Sequence, residues 1–109
     1  MGRDRRRYPR VGVALDISVE VAGRRWDAKT VDLSPYGVKV ALPASAIRPS
    51  EGTSVNLQLT VPDSADPLSI KSMVWRREPK STILIFVELH REQLERLKGL
   101  VELLQAAPA

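Results

Sequence analysis

Two short groups of side chains carry the chemistry available to this sequence. Arg6 and Arg10 stand four apart in Arg6-Arg7-Tyr8-Pro9-Arg10, with Arg5 directly before them, and Asp32, Ser34 and Gly37 follow in Asp32-Leu33-Ser34-Pro35-Tyr36-Gly37. Guanidinium groups contact phosphates and pair bidentately with the O6 and N7 of guanine, while a carboxylate accepts from guanine's N–H groups. Each group also has a plainer reading. Arginines four apart are common, Asp32 and Ser34 can cap a turn through side-chain-to-backbone bonds, and Gly37 can serve a hairpin alone. The informative observation is R-x-x-x-R followed by D-x-S-x-x-G, in that order and some two dozen residues apart.

Charge singles out the first group. The formal net charge is +4. Arg3, Arg5, Arg6, Arg7 and Arg10 against Asp4 account for all of it, since beyond residue 10 twelve basic side chains balance twelve acidic ones. Positive charge concentrated in one short arm steers anions to it, whether as a selective site or as a solvated basic tail that holds polyanions without preference.

The rest of the chain has to position these groups, and its periodicity says how. At 109 residues there is room for one modest core. From Val11 to Val21 every odd position is apolar and every even one small or polar, which predicts a long strand with one buried face. Gly23-Arg24-Arg25 turns into a second strand, Trp26–Leu33, of mixed alternation. Ser34-Pro35-Tyr36-Gly37 reads as a tight turn, with proline presetting its second position and glycine relieving its last. Val38, Val40 and Leu42 alternate after it.

Pro43 to Gly52 has no period and reads as a loop with a short helical turn at Ala44–Ile47. Val55, Leu57, Leu59 and Val61 mark another half-buried strand, and Leu68–Arg76 with Thr82–Leu89 form a hairpin around Glu78-Pro79-Lys80-Ser81. The switch to Met73, Val74 and Trp75 predicts a bulge in the first of these. Six sequential strands with no helix between them argue for an all-β fold, an antiparallel barrel closed on itself. Leu94, Leu97, Val101 and Leu104 then recur at helical spacing, widened by Leu100 and Leu103, and predict an amphipathic C-terminal helix over Arg91–Gln105. Its stripe either packs on the barrel or caps its open end, or else binds a partner helix.

The paired motifs resemble the two-part signature of PilZ domains, bacterial receptors for the second messenger cyclic di-GMP, over about residues 5–105. That resemblance implies a six-stranded PilZ-type barrel with a C-terminal helix, the architecture that periodicity reaches independently. It divides the chain into a flexible basic arm, residues 1–10, and a barrel with its helix, residues 11–109. It implies that Arg6 and Arg10 contact guanine and phosphate, that Asp32 and Ser34 bind a guanine edge, and that Gly37 lets backbone approach the purine. Arg5, at a position associated in the family with two intercalated ligands, and Arg7 beside it place four arginines within six residues and imply two cyclic di-GMP molecules per protomer. Trp75 offers a stacking face or else belongs to the barrel core, and Trp26 is expected in the core. The chain departs from the family near Ile83, where many members carry a glycine before the final strand's phenylalanine, here Phe86; the departure bears on strand packing and lies outside the binding motifs. A stand-alone receptor is implied, with no output domain of its own, in which ligand orders the arm and alters affinity for an unidentified downstream protein.

Other classes fit less well. With no cysteine, neither disulfides nor thiolate metal sites are possible, and His90 is the sole histidine. There is no nucleophile or metal-ligand spacing, so no enzyme, cofactor or metal is expected. The longest apolar run, Ile83 to Val87, is five residues, and the N-terminus lacks the apolar stretch of a signal peptide. A cytoplasmic protein without membrane insertion is the expectation. A basic-armed nucleic-acid-binding barrel is disfavoured because five aromatic residues form no strand-face cluster, so no specific nucleic acid is expected. A PilZ-like protein-interaction module that lacks nucleotide binding is the alternative within the family.

Overall fold

Alternation becomes architecture in the computed structural model, which describes residues 10–42, 50–62 and 64–106. The elements are β1 (Val11–Gly12), β2 (Asp16–Val21), β3 (Arg24–Ser34), β4 (Gly37–Ala41), β5 (Ser54–Leu59), β6 (Leu68–Arg77), β7 (Thr82–Glu88) and α1 (Arg91–Ala106). All pairings are antiparallel, in the order β1-β3-β2-β5-β6-β7-β4, and an additional β3–β4 pairing closes β2 to β7 into a six-stranded barrel. β1 is an extra strand beside β3.

The expected strand Val11–Val21 is one run of alternating side chains but two stretches of ladder. Thr30 makes the break. Its hydroxyl accepts from Leu15 N–H at 2.8 Å and donates to the Val13 carbonyl, while its own N–H donates to Leu15 O at 2.9 Å. Side-chain bonds here replace much of the regular ladder, so the chain enters the barrel through a short crossing held by Thr30 and by the bond from Val13 N–H to Val31 O at 3.2 Å. β2 and β3 are joined by Ala22 and Gly23, both at positive φ, 50° and 81°, the geometry of the hairpin turn whose twist matches its strands.

Inner positions fill the core: Ile17, Val19, Leu33, Val38, Val40, Val55, Leu57, Leu59, Leu68, Ile70, Val74 and Leu84 are buried. Helix α1 adds Leu97, Leu100 and Val101. Its first turn is set by Gln93, whose Oε1 accepts from His90 N–H at 2.9 Å, one half of a capping box, and whose amide donates to Ser69 O on β6. Arg96 adds a bond to Asp66 O at 2.8 Å. The helix packs on the barrel through β1 and β3, as the first reading of its stripe required.

Two expectations change. Trp26 is half-buried beside Val19 and does not join the buried core. Gly37 does not occupy the left-handed region, so conformational freedom at the turn is not its role. The helical turn expected at Ala44–Ile47 lies outside the described residues.

Candidate functional site

The two motif groups meet on the outer face of the barrel, and strand pairing brings them together. β1 pairs with the end of β3 through Val11↔Leu33 and Gly12↔Asp32, which leaves Arg10 beside the same stretch. Arg10 donates through Nε and Nη2 to Asp32 Oδ1 at 3.2 and 2.7 Å. The pair is partly exposed, with side chains 38% and 22% accessible, so its worth to folding is at most about 1 kcal/mol.

A bulge aims Asp32. Trp26, Ala28 and Thr30 occupy alternate positions on the inner side of β3, and unbroken alternation would send Asp32 inward and Leu33 outward. Thr30 pairs with Val40 and Asp32 with Lys39, so Val31 is an extra residue on that ladder and the phase resets. Leu33 is then fully buried while Asp32 lies on the outer surface. Burying an unpaired carboxylate would be far costlier than the local irregularity.

Ser34 and Gly37 have specific structural partners. Ser34 Oγ accepts from Tyr36 N–H at 3.2 Å and donates toward Gly37 O at 3.4 Å, so it caps the turn. A Cβ on Gly37 would stand 2.7 Å from Leu84 O of β7, so glycine is required there for β4 to approach β7. Of the plainer readings, turn-capping holds for Ser34 and not for Asp32, and the hairpin reading of Gly37 becomes a strand-packing one. Trp75 settles as an outer residue, 56% exposed. It lies at the expected bulge, where the β6–β7 register shifts between Val74 and Arg76.

Register joins these positions into one band. Asp32 pairs with Lys39, Lys39 with Ile83 and Ile83 with Arg76, across β3, β4, β7 and β6. Trp75 next to Arg76 is thus three strand spacings from Asp32, roughly 14 Å. Ile83, where the chain departs from the family outside the binding motifs, is the cross-strand neighbour of both Lys39 and Arg76 in this band. Arg5, Arg6 and Arg7 lie outside the described residues.

Sequence reasoning passed over Lys39 and Glu78. Lys39 Nζ is 3.4 Å from Glu78 Oε1, which also accepts from Ser81 Oγ at 2.9 Å. The Ser81 hydroxyl and then the Lys39 ammonium hold the Glu78 carboxyl below its ordinary range. The signal was present in the two-residue turn: Ser34 opposite Gly37 forces Leu33 opposite Val38 and Asp32 opposite Lys39. Among the described residues no cluster of three or more His, Cys, Asp or Glu could hold a metal, and no helix is long and apolar enough to cross a membrane.

Comparison with known proteins agrees with this fold. The PilZ domain family model matches residues 4–103. The fold is similar to the inhibitor of motility MotI/DgrA of Bacillus subtilis (TM-score 0.80, 18% identity, 96% of this chain and 54% of that one). It is also similar to the PilZ domain of YcgR from Escherichia coli, solved with c-di-GMP (TM-score 0.75, 14% identity, 94% and 93%). A third likeness is the PilZ domain of CeSA from a cellulose-synthesizing bacterium (TM-score 0.70, 20% identity, 87% and 97%). The chain spans about half the length of the motility inhibitor. No curated protein matches it in sequence.

Proposed function

This chain belongs to the PilZ domain family, and on that premise we propose that it is a receptor for cyclic di-GMP, with Arg10 and Asp32 at the centre of the site and Arg5, Arg6 and Arg7 closing over the ligand. The observation that carries the proposal is the Arg10–Asp32 contact. It joins the end of the arginine motif to the start of the D-x-S-x-x-G turn on an accessible face.

The contact also suits exchange. A guanine edge presents N–H donors to a carboxylate and acceptors to a guanidinium, so it can enter between Arg10 and Asp32 with each charged group trading one partner for another. The exchange is easy because the partly wet pair is held only weakly, although a ligand must still displace the water on both side chains. Ser34 and Gly37 then act mainly by fixing the turn that carries Asp32, and Trp75 provides an exposed ring at the far end of the band on which a base can stack.

The remaining parts of the reading follow from charge. An arm of repelling arginines gains from ordering only when an anion is present, so ligand shifts its population toward a closed state and changes the surface offered to a downstream protein. Two intercalated ligands per protomer bring phosphates together, and the cations of Arg5, Arg6, Arg7 and Arg10 counter their repulsion. The chemistry is that of a receptor, with binding and release and no turnover.

Calorimetry with cyclic di-GMP, against GMP, GTP and a short single-stranded oligonucleotide, tests this. Binding of the cyclic dinucleotide alone at two per protomer is expected, with Arg5→Leu lowering the ratio toward one. Equal binding of all polyanions would leave only a basic tail, and saturation at one ligand would remove the intercalated pair.

A further inference from the structure

We propose that Lys39 is an additional anion-binding residue of this site and that Glu78 is its built-in competitor, occupying the ammonium until a ligand phosphate replaces it. The assignment rests on the cyclic di-GMP reading above and names a residue outside both motifs.

Position comes first. Asp32 and Lys39 are direct cross-strand partners, so their Cβ atoms are roughly 5 Å apart. A guanine held by Asp32 leaves the attached phosphate within reach of a four-carbon side chain on the next strand. Opposite charges so placed ordinarily pair with each other. Here they turn away to different partners, Asp32 to Arg10 and Lys39 to Glu78, so the row carries two separate ion pairs side by side.

The Lys39–Glu78 contact is also built to be given up. At 3.4 Å it is longer than a charge-assisted hydrogen bond of full strength, and the side chains are 27% and 34% accessible. Glu78 does not lose everything when Lys39 leaves, because Ser81 Oγ donates to it at 2.9 Å and Arg76 contributes a favourable field. A phosphate offers Lys39 a better acceptor, while Glu78 keeps its hydroxyl. The effect is selection by charge exchange: a neutral ligand cannot displace Glu78, and an anion can.

The molecule contains its own control. Lys71 and Glu88 form another Lys–Glu pair at 3.4 Å, toward the opposite end of β6 and β7. Changing it alters net charge by the same amount without touching the band.

Titrations of the full chain with cyclic di-GMP read the proposal. Lys39→Gln is expected to weaken binding about tenfold, the loss of one charge-assisted contact, while Lys39→Arg retains most of it. Glu78→Gln is expected to tighten binding about threefold in the unmodified background and to do nothing in the Lys39→Gln background, because its effect passes through Lys39. Lys71→Gln and Glu88→Gln should leave affinity within about twofold, the range of screened long-range charge. A Lys39→Gln effect no larger than that of Lys71→Gln overturns the assignment of Lys39. Tightening by Glu78→Gln that persists without Lys39 overturns the exchange. Absence of binding by the unmodified protein is a different result, since it removes the receptor reading and this proposal with it before any variant is compared.

Discussion

The β5–β6 ladder and the end of β3 are built from the same kind of strand and behave differently. β5 pairs with β6 from Ser54↔Met73 to Leu59↔Leu68 with no register shift, and along β5 exposed and buried positions alternate without exception. There the inner residues make core, and the outer ones, Asn56 and Gln58, lie on a uniform polar surface. The end of β3 carries a bulge at Val31, two strands on one edge and a two-residue turn at its end. Its polar residues are committed, half-buried Asp32 to Arg10 and buried Ser34 to the turn backbone. A regular sheet keeps polar groups at a fixed spacing perpendicular to its surface, whereas an irregularity lets side chains from distant parts of the sequence converge. The candidate site lies where the ladder is interrupted.

The contrast breaks most visibly with core deletions. Leu57→Ala, in the regular ladder, should cost about 2–5 kcal/mol of stability, read from the urea midpoint, and leave cyclic di-GMP affinity unchanged under conditions where the variant is folded. A loss of affinity would mean that the two regions are not separable. Gly37→Ala, at the irregular end, should cost about 1–3 kcal/mol by overpacking against β7, because its Cβ meets Leu84 O at 2.7 Å, and should weaken binding as well, since the same turn carries Asp32.

Arg10→Ala and Asp32→Ala should invert this balance. Each is expected to lower cyclic di-GMP affinity by about tenfold to a hundredfold, the loss of roughly 1–3 kcal/mol of charge-assisted or bidentate contact. Each should change stability by no more than about 1 kcal/mol. Asn56→Ala and Gln58→Ala, the outer residues of the regular ladder, should move stability by less than about 0.5 kcal/mol and affinity not at all. Native affinity in both Arg10 and Asp32 variants would remove the functional half of the contrast.

The smallest effect concerns acid. Glu78 has its carboxyl held below the ordinary value of 4.5 by Ser81 and Lys39. A group lowered on folding contributes stability above its unfolded value, and that contribution is lost as pH falls through the lower folded value. Glu78→Gln should therefore lower the urea midpoint slightly at neutral pH, converge with the unmodified protein in acid, and so flatten the decline below pH 4.5. A Glu78→Gln profile that declines as steeply as the unmodified one would show that the Ser81 and Lys39 contacts do not persist in solution.

Much of this was legible in advance because it depends on local pattern. Odd-position hydrophobes from Val11 to Val21 and the alternation at Val55, Leu57 and Leu59 name their own inner faces, since side chains on a strand must alternate whatever they pair with. The stripe of Leu97, Leu100 and Val101 identifies the buried face of α1 for the same reason at period 3.6. The resemblance of the paired motifs to PilZ domains made Arg10 and Asp32 candidates before any geometry was known. Other readings failed where local rules ran out. Trp26 has the composition of a core residue but remains half-buried, and Gly37, read as a turn glycine, answers to the carbonyl of a residue nearly fifty positions away.

The sequence alone therefore determined most of the strands and their inner faces, the helix and, through the resemblance of its paired motifs, the chemical types that could meet a guanine and a phosphate. Only the tertiary structure decided which of them meet. Arg10 reaches Asp32 because β1 pairs with β3 across 22 residues of chain, and Lys39 joins the band when β3 and β4 close the barrel. The outward aim of Asp32 depends on an extra residue at Val31 that strict alternation does not contain. The physical reason is the range of the forces involved. Periodicity is fixed by the geometry of neighbouring residues, whereas bulges and pairing partners are chosen by the closure of the whole sheet, which must satisfy all its backbone groups at once.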